Sequence, residues 1–147
     1  MLNAKAKALE EDVAARINQA RYEAIKRSKR ISICASSNGT SCTGSWTEGY
    51  IVFEDGATSD GATDVVVGTV LRAYAKHDLK TVIDVKNNTT AVTFMRFTSM
   101  GTLARIANSA NPLVMNAYVT GCKGKNRRIL TIGISGLTSI QRVDCPA

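Results

Sequence analysis

The hydrophobic positions of the first 28 residues recur with helical spacing. Leu9, Val13, Ala20 and Ala24 share one face of a 3.6-residue period, and neither glycine nor proline interrupts residues 3–30. Acidic side chains stand early in this segment and basic ones stand at its end, which is the distribution that a helix macrodipole favours. The pattern therefore predicts a helix over residues 4–28.

After Arg30 the hydrophobic spacing changes to the period of two that is typical of β-strands. One helix followed by about eight short strands, without β–α–β alternation, predicts an α+β fold with the helix packed on antiparallel sheets. We expect a single domain over residues 1–147, in which residues 1–28 form the helix and residues 29–147 a β-rich head. The predicted strands are residues 31–34, 50–53, 65–74, 80–85, 92–97, 113–119, 129–134 and 138–143.

The charge of the chain is concentrated in its second half. The 147 residues carry a formal net charge of +7. Residues 1–64 hold 8 basic and 9 acidic side chains, whereas residues 65–147 hold 11 basic and 3 acidic ones. Such an asymmetry favours an anionic partner of unspecified kind, and a basic surface without a partner is the alternative. No apolar run approaches the ~20 residues that span a bilayer.

Side chains that could perform catalysis are scarce. His77 is the only histidine and stands in a charged segment, where a surface or turn position is expected. The nucleophile-elbow, phosphate-loop and zinc-protease motifs are absent from the sequence. The acidic segment 54–64 has the composition of a calcium loop but lacks the alternating ligand spacing, which favours an acidic surface loop. The sequence predicts no enzyme, no metal site and no cofactor.

Four cysteines, Cys34, Cys42, Cys122 and Cys145, allow three disulfide pairings. There is no Cys-x-x-Cys motif, and one histidine is too few for a His-containing zinc finger. Each local pair brackets a polar or glycine-rich loop, which favours bridges 34–42 and 122–145 over the other pairings. Disulfides indicate an oxidising compartment, and buried free thiols are the alternative.

A dense group of cations follows Cys122. Lys123, Lys125, Arg127 and Arg128 lie within six residues on a predicted turn, and a 122–145 bridge would bring Arg142 into the same region. A rigid basic loop can contact several phosphates without reading bases, and the loop has no aromatic side chain to stack on them. The loop therefore favours the backbone of double-stranded DNA, with a solvated turn kept charged for solubility as the alternative.

Four segments resemble a known family. Residues 20–27 (ARYEAIKR), 33–42 (ICASSNGTSC) and 46–53 (WTEGYIVF) are similar to the helix end, the cysteine-bounded loop and the tryptophan strand of the FimT/GspH family. Residues 96–101 (RFTSMG) resemble its phenylalanine–glycine turn. This family comprises minor type IV pilins and type II secretion pseudopilins, and the matches extend over nearly the whole chain.

The resemblance implies a pilin fold and a location. Family members carry an apolar helix that anchors them in the inner membrane, so residues 1–28 would be the lower part of a longer helix whose apolar half is missing here. Other minor and major pilins would be partners. The implied location is the inner membrane, the periplasm and the extracellular pilus of a Gram-negative bacterium.

FimT-type members linked to natural transformation share a C-terminal Gly-Arg-x-Arg motif that contacts DNA. Residues 124–127 (GKNR) resemble it, with Lys125 in place of the first arginine. The substitution keeps the charge and removes bidentate geometry at one position. The resemblance implies a minor pilin that binds extracellular double-stranded DNA. The alternative is a structural pilin or pseudopilin that primes filament assembly without binding DNA.

Overall fold

The computed structural model describes residues 2–77 and 80–146, with side chains from residue 4 onward. The chain begins with helix α1 (Leu2–Arg27). In the part of the chain that the structure describes, nine strands follow: β1 (Ile31–Ala35), β2 (Gly49–Asp55), β3 (Val67–Ala75), β4 (Thr81–Asn87), β5 (Thr90–Ala91), β6 (Phe94–Phe97), β7 (Leu113–Val119), β8 (Arg127–Ile132) and β9 (Thr138–Val143). The α+β class predicted from the sequence is confirmed.

Six of the eight predicted strands differ from the structure in their bounds, by one or two residues at one or both ends. The predicted strand 92–97 is shortened to β6, because the chain passes from one sheet to the other at residues 92–93. Val92 N–H donates to Val85, and the carbonyl of Thr93 accepts from Ala35. The strand predicted at 129–134 begins two residues earlier, at Arg127. Strands β7 and β9 have the predicted bounds.

The strands form two antiparallel sheets. The first sheet has the order β3-β2-β1-β6, and the second has the order β5-β4-β7-β8-β9. Strand β9 is therefore an edge of the second sheet, and it pairs with β8 so that Arg142 lies opposite Arg128.

Helix α1 packs against the inner faces of both sheets. Its apolar face, which includes Leu9, Val13 and Ile17, joins one core cluster with Ile33 and Val52 of the first sheet. The second sheet contributes Val85, Met115, Leu130 and Ile132 to the same cluster. One amphipathic helix thus supplies the surface on which the two sheets bury their inner faces.

The first sheet is also covered on its outer face. Cys34, Ile51 and Phe53 form a second buried cluster, against which Cys42 and Val67 pack. The Cys34–Cys42 disulfide joins β1 to the segment between β1 and β2, which packs on this face. No helix among the described residues combines the length and the apolar character needed to cross a membrane.

Candidate nucleic-acid interface

Residues 120–126 form a tight loop between β7 and β8. Gly121 and Gly124 have φ values of 85° and 67°, a region that glycine enters without steric penalty. The N–H of Cys122 donates to Val119 at 3.0 Å, and the Asn126 side-chain amide donates to the carbonyl of Lys123 at 2.6 Å. The loop backbone is therefore held by its own hydrogen bonds.

A disulfide ties this loop to the chain beyond β9. Cys122 and Cys145 are bridged, and the Cys145 N–H donates to the carbonyl of Gly124 at 2.9 Å. Both pairings favoured by the sequence, 34–42 and 122–145, are confirmed, and the described residues contain no free cysteine. The loop is thus covalently fixed to the end of the second sheet.

The cations predicted on the turn divide between loop and strand. Lys123 and Lys125 lie on the loop and are exposed. In residues 2–77 and 80–146, neither ammonium group is engaged in an ion pair. Arg127 and Arg128 instead begin β8, so the prediction that all four cations stand on a turn is wrong for this pair.

Strand alternation sends the two arginines to opposite faces of the sheet. Arg127 lies half-buried on the outer face, away from α1. Its Nε donates to the carbonyl of Asp144 at 2.9 Å, and one terminal nitrogen donates to Oδ1 of Asn116 at 3.3 Å. This guanidinium keeps part of its surface available to an external ligand.

Arg128 faces inward with Leu130 and Ile132 and is only 2% exposed. A terminal nitrogen of its guanidinium donates to the carbonyl of Lys125 at 3.1 Å. Its Nε lies 2.7 Å from Oε1 of Glu10 on α1, an ion-pair distance, although the N–H is not aligned for a hydrogen bond. The prediction of Arg128 as an exposed phosphate contact is therefore corrected, because its charge is buried and paired inside the protein.

Arg142 lies beside the loop, where the predicted bridge placed it. Its side chain is 61% exposed, and its Nε is 4.0 Å from the same oxygen of Glu10. One carboxylate thus lies next to two guanidinium groups. Glu10 is not among the site residues that the sequence predicts. The alternation of residues 128, 130 and 132 indicates an inward arginine, which requires a buried acidic partner.

Carboxylates of the acidic segment 54–64 form ion pairs with arginines of this chain. Asp55 and Arg96 form a buried ion pair at 2.9 Å, and Asp60 pairs with Arg30 at 2.6 Å. Among the described residues, no group of three or more His, Cys, Asp or Glu side chains is arranged to hold a metal ion.

His77 lies in a polar cluster between α1 and the first sheet. Its Nε2 is 2.9 Å from the hydroxyl of Tyr50 and 3.0 Å from a guanidinium nitrogen of Arg16. Burial, followed by the charge of Arg16, lowers the pKa of His77 against an opposing effect of Asp12. The histidine predicted at the surface is half-buried, and its neighbours come from distant parts of the sequence.

Comparison with protein families gives one extended match. Residues 11–138 match the model of the family described as "Type II transport protein GspH". Among curated protein sequences, none matches the chain.

Comparison with solved structures gives similar folds. The type IV minor pilin FimU of Pseudomonas aeruginosa strain PAO1 has a TM-score of 0.68 at 20% identity, over 94% of this chain and 89% of FimU. The minor pseudopilin EpsH from the Type 2 Secretion System of Vibrio cholerae has a TM-score of 0.61 at 9% identity, over 97% of this chain and 98% of EpsH. At these identities the likeness shows a common fold alone.

Proposed function

The chain belongs to the GspH family of minor pilins and pseudopilins, and from that premise we propose that it is a minor type IV pilin that binds extracellular double-stranded DNA during natural transformation. The contact surface is the loop 120–126 with its flanking strands. Lys123 and Lys125 bind phosphates, and Arg142 and the exposed part of Arg127 extend the surface. The protein acts as a binding subunit and not as an enzyme.

The observation that supports the proposal is a rigid loop with two exposed lysines, neither of which forms an ion pair with the described residues. A disulfide, two positive-φ glycines and internal hydrogen bonds fix the loop before any ligand arrives. A surface that is ordered beforehand loses little conformational entropy on binding. Ammonium groups without acidic partners can release the counterions of a duplex, which is the main source of non-specific DNA affinity.

The proposed affinity is modest and depends on salt. Non-specific DNA binding has dissociation constants of ~10⁻⁴–10⁻⁶ M, and four accessible cations place this protein in that range. Several copies in one filament, or other DNA-binding pilins beside it, raise the effective affinity by multivalency. The proposed location is the inner membrane, the periplasm and the extracellular pilus, and two disulfides are typical of such an oxidising environment.

The test is a fluorescence-anisotropy titration of a labelled DNA duplex at about 50 and about 200 mM salt. We expect binding that weakens steeply with salt. The double variant Lys123→Ala/Lys125→Ala should bind more weakly and reduce the slope of log K against log salt by about two.

The matched control is Lys26→Ala/Lys86→Ala. It removes the same charge from exposed positions at the end of α1 and on β4, remote from the loop. Equal effects of the two double variants, or a wild-type protein that does not bind the duplex, would contradict the proposal. Arg128→Ala is not used, because loss of a buried partner destabilises the fold.

A second candidate function is the priming of filament assembly without DNA binding. It is favoured by three exposed apolar side chains, Ile25, Met100 and Leu137. They lie close together because the turns around Gly101 and Gly136 touch each other and α1. Apolar surface of this kind is typical of protein interfaces. A wild-type protein without salt-dependent DNA binding would favour this function.

A further inference from the structure

The ion pair between Glu10 on α1 and Arg128 on β8 lies directly beneath the basic loop. We propose that these two side chains are positioning residues, which hold the loop so that Lys123 and Lys125 present their charges in a fixed arrangement. This inference rests on the proposed DNA-binding function. It assigns part of the site to the interior of the protein and to the N-terminal helix.

Arg128 can hold the loop because its guanidinium makes two contacts at once. One terminal nitrogen donates to the carbonyl of Lys125, and Nε lies 2.7 Å from Glu10. With 2% of its surface exposed, Arg128 is not accessible to a phosphate of bound DNA. A buried guanidinium needs an opposite charge, so the position of Arg128, and through it of Lys125, depends on Glu10.

Glu10 also compensates a repulsive pair. Arg128 and Arg142 lie directly opposite each other on β8 and β9, an arrangement that destabilises a sheet when both residues carry the same charge. Oε1 of Glu10 lies 2.7 Å from Arg128 and 4.0 Å from Arg142. Without this carboxylate the two guanidinium groups repel each other, and the contact from Arg128 to the carbonyl of Lys125 is no longer held.

The disulfide does not replace this contact. Cys122 and Cys145 fix the first part of the loop, together with the hydrogen bond from Cys145 to Gly124. Arg128 fixes Lys125, in the second part of the loop. Each part of the loop, and each of its lysines, therefore has its own anchor.

The charge of Glu10 and its proposed positioning role predict opposite effects of the substitution Glu10→Gln on DNA affinity. Glu10→Gln adds one positive charge beside the loop, so long-range electrostatics alone would tighten DNA binding. If Glu10 positions the loop, the same variant weakens DNA binding about fivefold, which is the effect of losing the hydrogen bond from Arg128 to the carbonyl of Lys125. The matched control is Glu11→Gln, an exposed neighbour on α1 with the same change in charge. It should bind as the wild type does or slightly more tightly.

A second variant separates positioning from charge and from folding. Glu10→Leu/Arg128→Met leaves the net charge and every exposed cation unchanged, and apolar replacement of a buried ion pair is often neutral for stability. We expect its unfolding transition to stay close to that of the wild type. Backbone ¹⁵N relaxation should show lower order for residues 123–126 and unchanged order in the strands.

DNA affinity and backbone relaxation together distinguish a failure of the positioning proposal from a failure of the proposed function. Unchanged loop order in the double variant overturns the proposal, and so does Glu10→Gln binding DNA as tightly as Glu11→Gln. If the wild type binds no DNA, the proposed function fails by itself, and the relaxation measurement still decides whether the Glu10–Arg128 pair orders the loop.

Discussion

At the scale of single residues, Arg96 organises the loop between β2 and β3. The side chain is fully buried, and its Nε donates to Asp55 at 2.9 Å. Its terminal nitrogens donate to the backbone carbonyls of Asp60, Ala62 and Asp64. One guanidinium thus connects β6 to a loop that has no regular secondary structure of its own.

The carboxylate of Asp55, the ion-pair partner of Arg96, is also fully hydrogen-bonded. Burial by itself raises the pKa of Asp55. The hydrogen bonds from Val66, Ser32, Ala57 and Arg96 outweigh burial, so the pKa of Asp55 is lowered overall. The carboxylate is therefore ionised in the native state, and both members of this ion pair are charged.

We predict that Arg96→Ala lowers the free energy of unfolding by about 3–5 kcal/mol, because it leaves Asp55 as a buried charge without its cation. Urea unfolding followed by circular dichroism measures the change. The matched control is Arg105→Ala at an exposed position, which should stay within about 0.5 kcal/mol of the wild type. Similar unfolding curves for the two variants would show that the buried pair contributes little.

His77 gives the protein a defined dependence on pH. Its pKa is lowered in the folded state by burial and by Arg16, whereas an unfolded histidine titrates near ~6.5. Between these two pKa values the unfolded chain binds a proton that the folded chain does not. The contribution of His77 to stability is therefore fully present above pH ~6.5 and is lost as the pH falls through the folded pKa.

The test compares thermal unfolding of the wild type and of His77→Gln at about pH 7.5 and about pH 5. We expect the wild type to lose more stability than the variant on acidification. The lowered pKa of Asp55 also makes the folded state less stable at low pH. Because Asp55 is present in both proteins, its contribution cancels when their losses of stability are compared. Parallel losses in the two proteins would exclude a role for the imidazole.

At the scale of elements, strand β8 determines which cations reach the surface. Its two-residue period places Arg128 on the face that packs on α1 and Arg127 on the opposite face. The hydrophobic pattern predicts this strand only from residue 129, which leaves both arginines on the predicted turn. The alternation with Leu130 and Ile132 was the signal that could have corrected this interpretation.

We predict that the two disulfides differ in their contribution to stability. The Cys122–Cys145 bridge joins residues that are 23 positions apart in the sequence, and the Cys34–Cys42 bridge joins residues that are 8 apart. The chain-entropy model gives about 3.4 and about 2.5 kcal/mol, respectively. Unfolding of Cys122→Ala/Cys145→Ala and Cys34→Ala/Cys42→Ala measures the two contributions.

The same two variants test the role of the bridged loop. Loss of the 122–145 bridge should also weaken DNA binding, because the first part of the loop then loses its anchor and becomes ordered only when it binds. Loss of the 34–42 bridge, which covers the outer face of the first sheet, should leave DNA binding unchanged. A greater loss of DNA affinity in the 34–42 variant would contradict the assignment of the binding surface.

At the scale of the whole molecule, one helix is common to both sheets. Val13 and Ile17 of α1 lie in the same buried cluster as strands from each sheet. Glu10, one turn before Val13, connects the same helix to the basic loop. Helix α1 is thus also the element on which the candidate binding surface rests.

The helix, most strands and the family could be predicted from the sequence, and the cysteine spacing favoured the two disulfide pairings that the structure has. These features are encoded locally: hydrophobic periods, turn residues and short cysteine spacings act within a few residues of each other. Lys123 and Lys125 could likewise be predicted as exposed cations because they stand on a short glycine-containing loop.

Which charges remain available to a ligand depends on the tertiary structure and could not be predicted from the sequence. Arg128 is neutralised by Glu10, more than a hundred residues away in the sequence, and Arg96 is neutralised by Asp55. His77 contacts Arg16 and Tyr50, which are also distant from it in the sequence. Burial and ion pairing depend on which elements pack together, so the overall charge of the chain indicated an anionic partner without showing which cations could bind it.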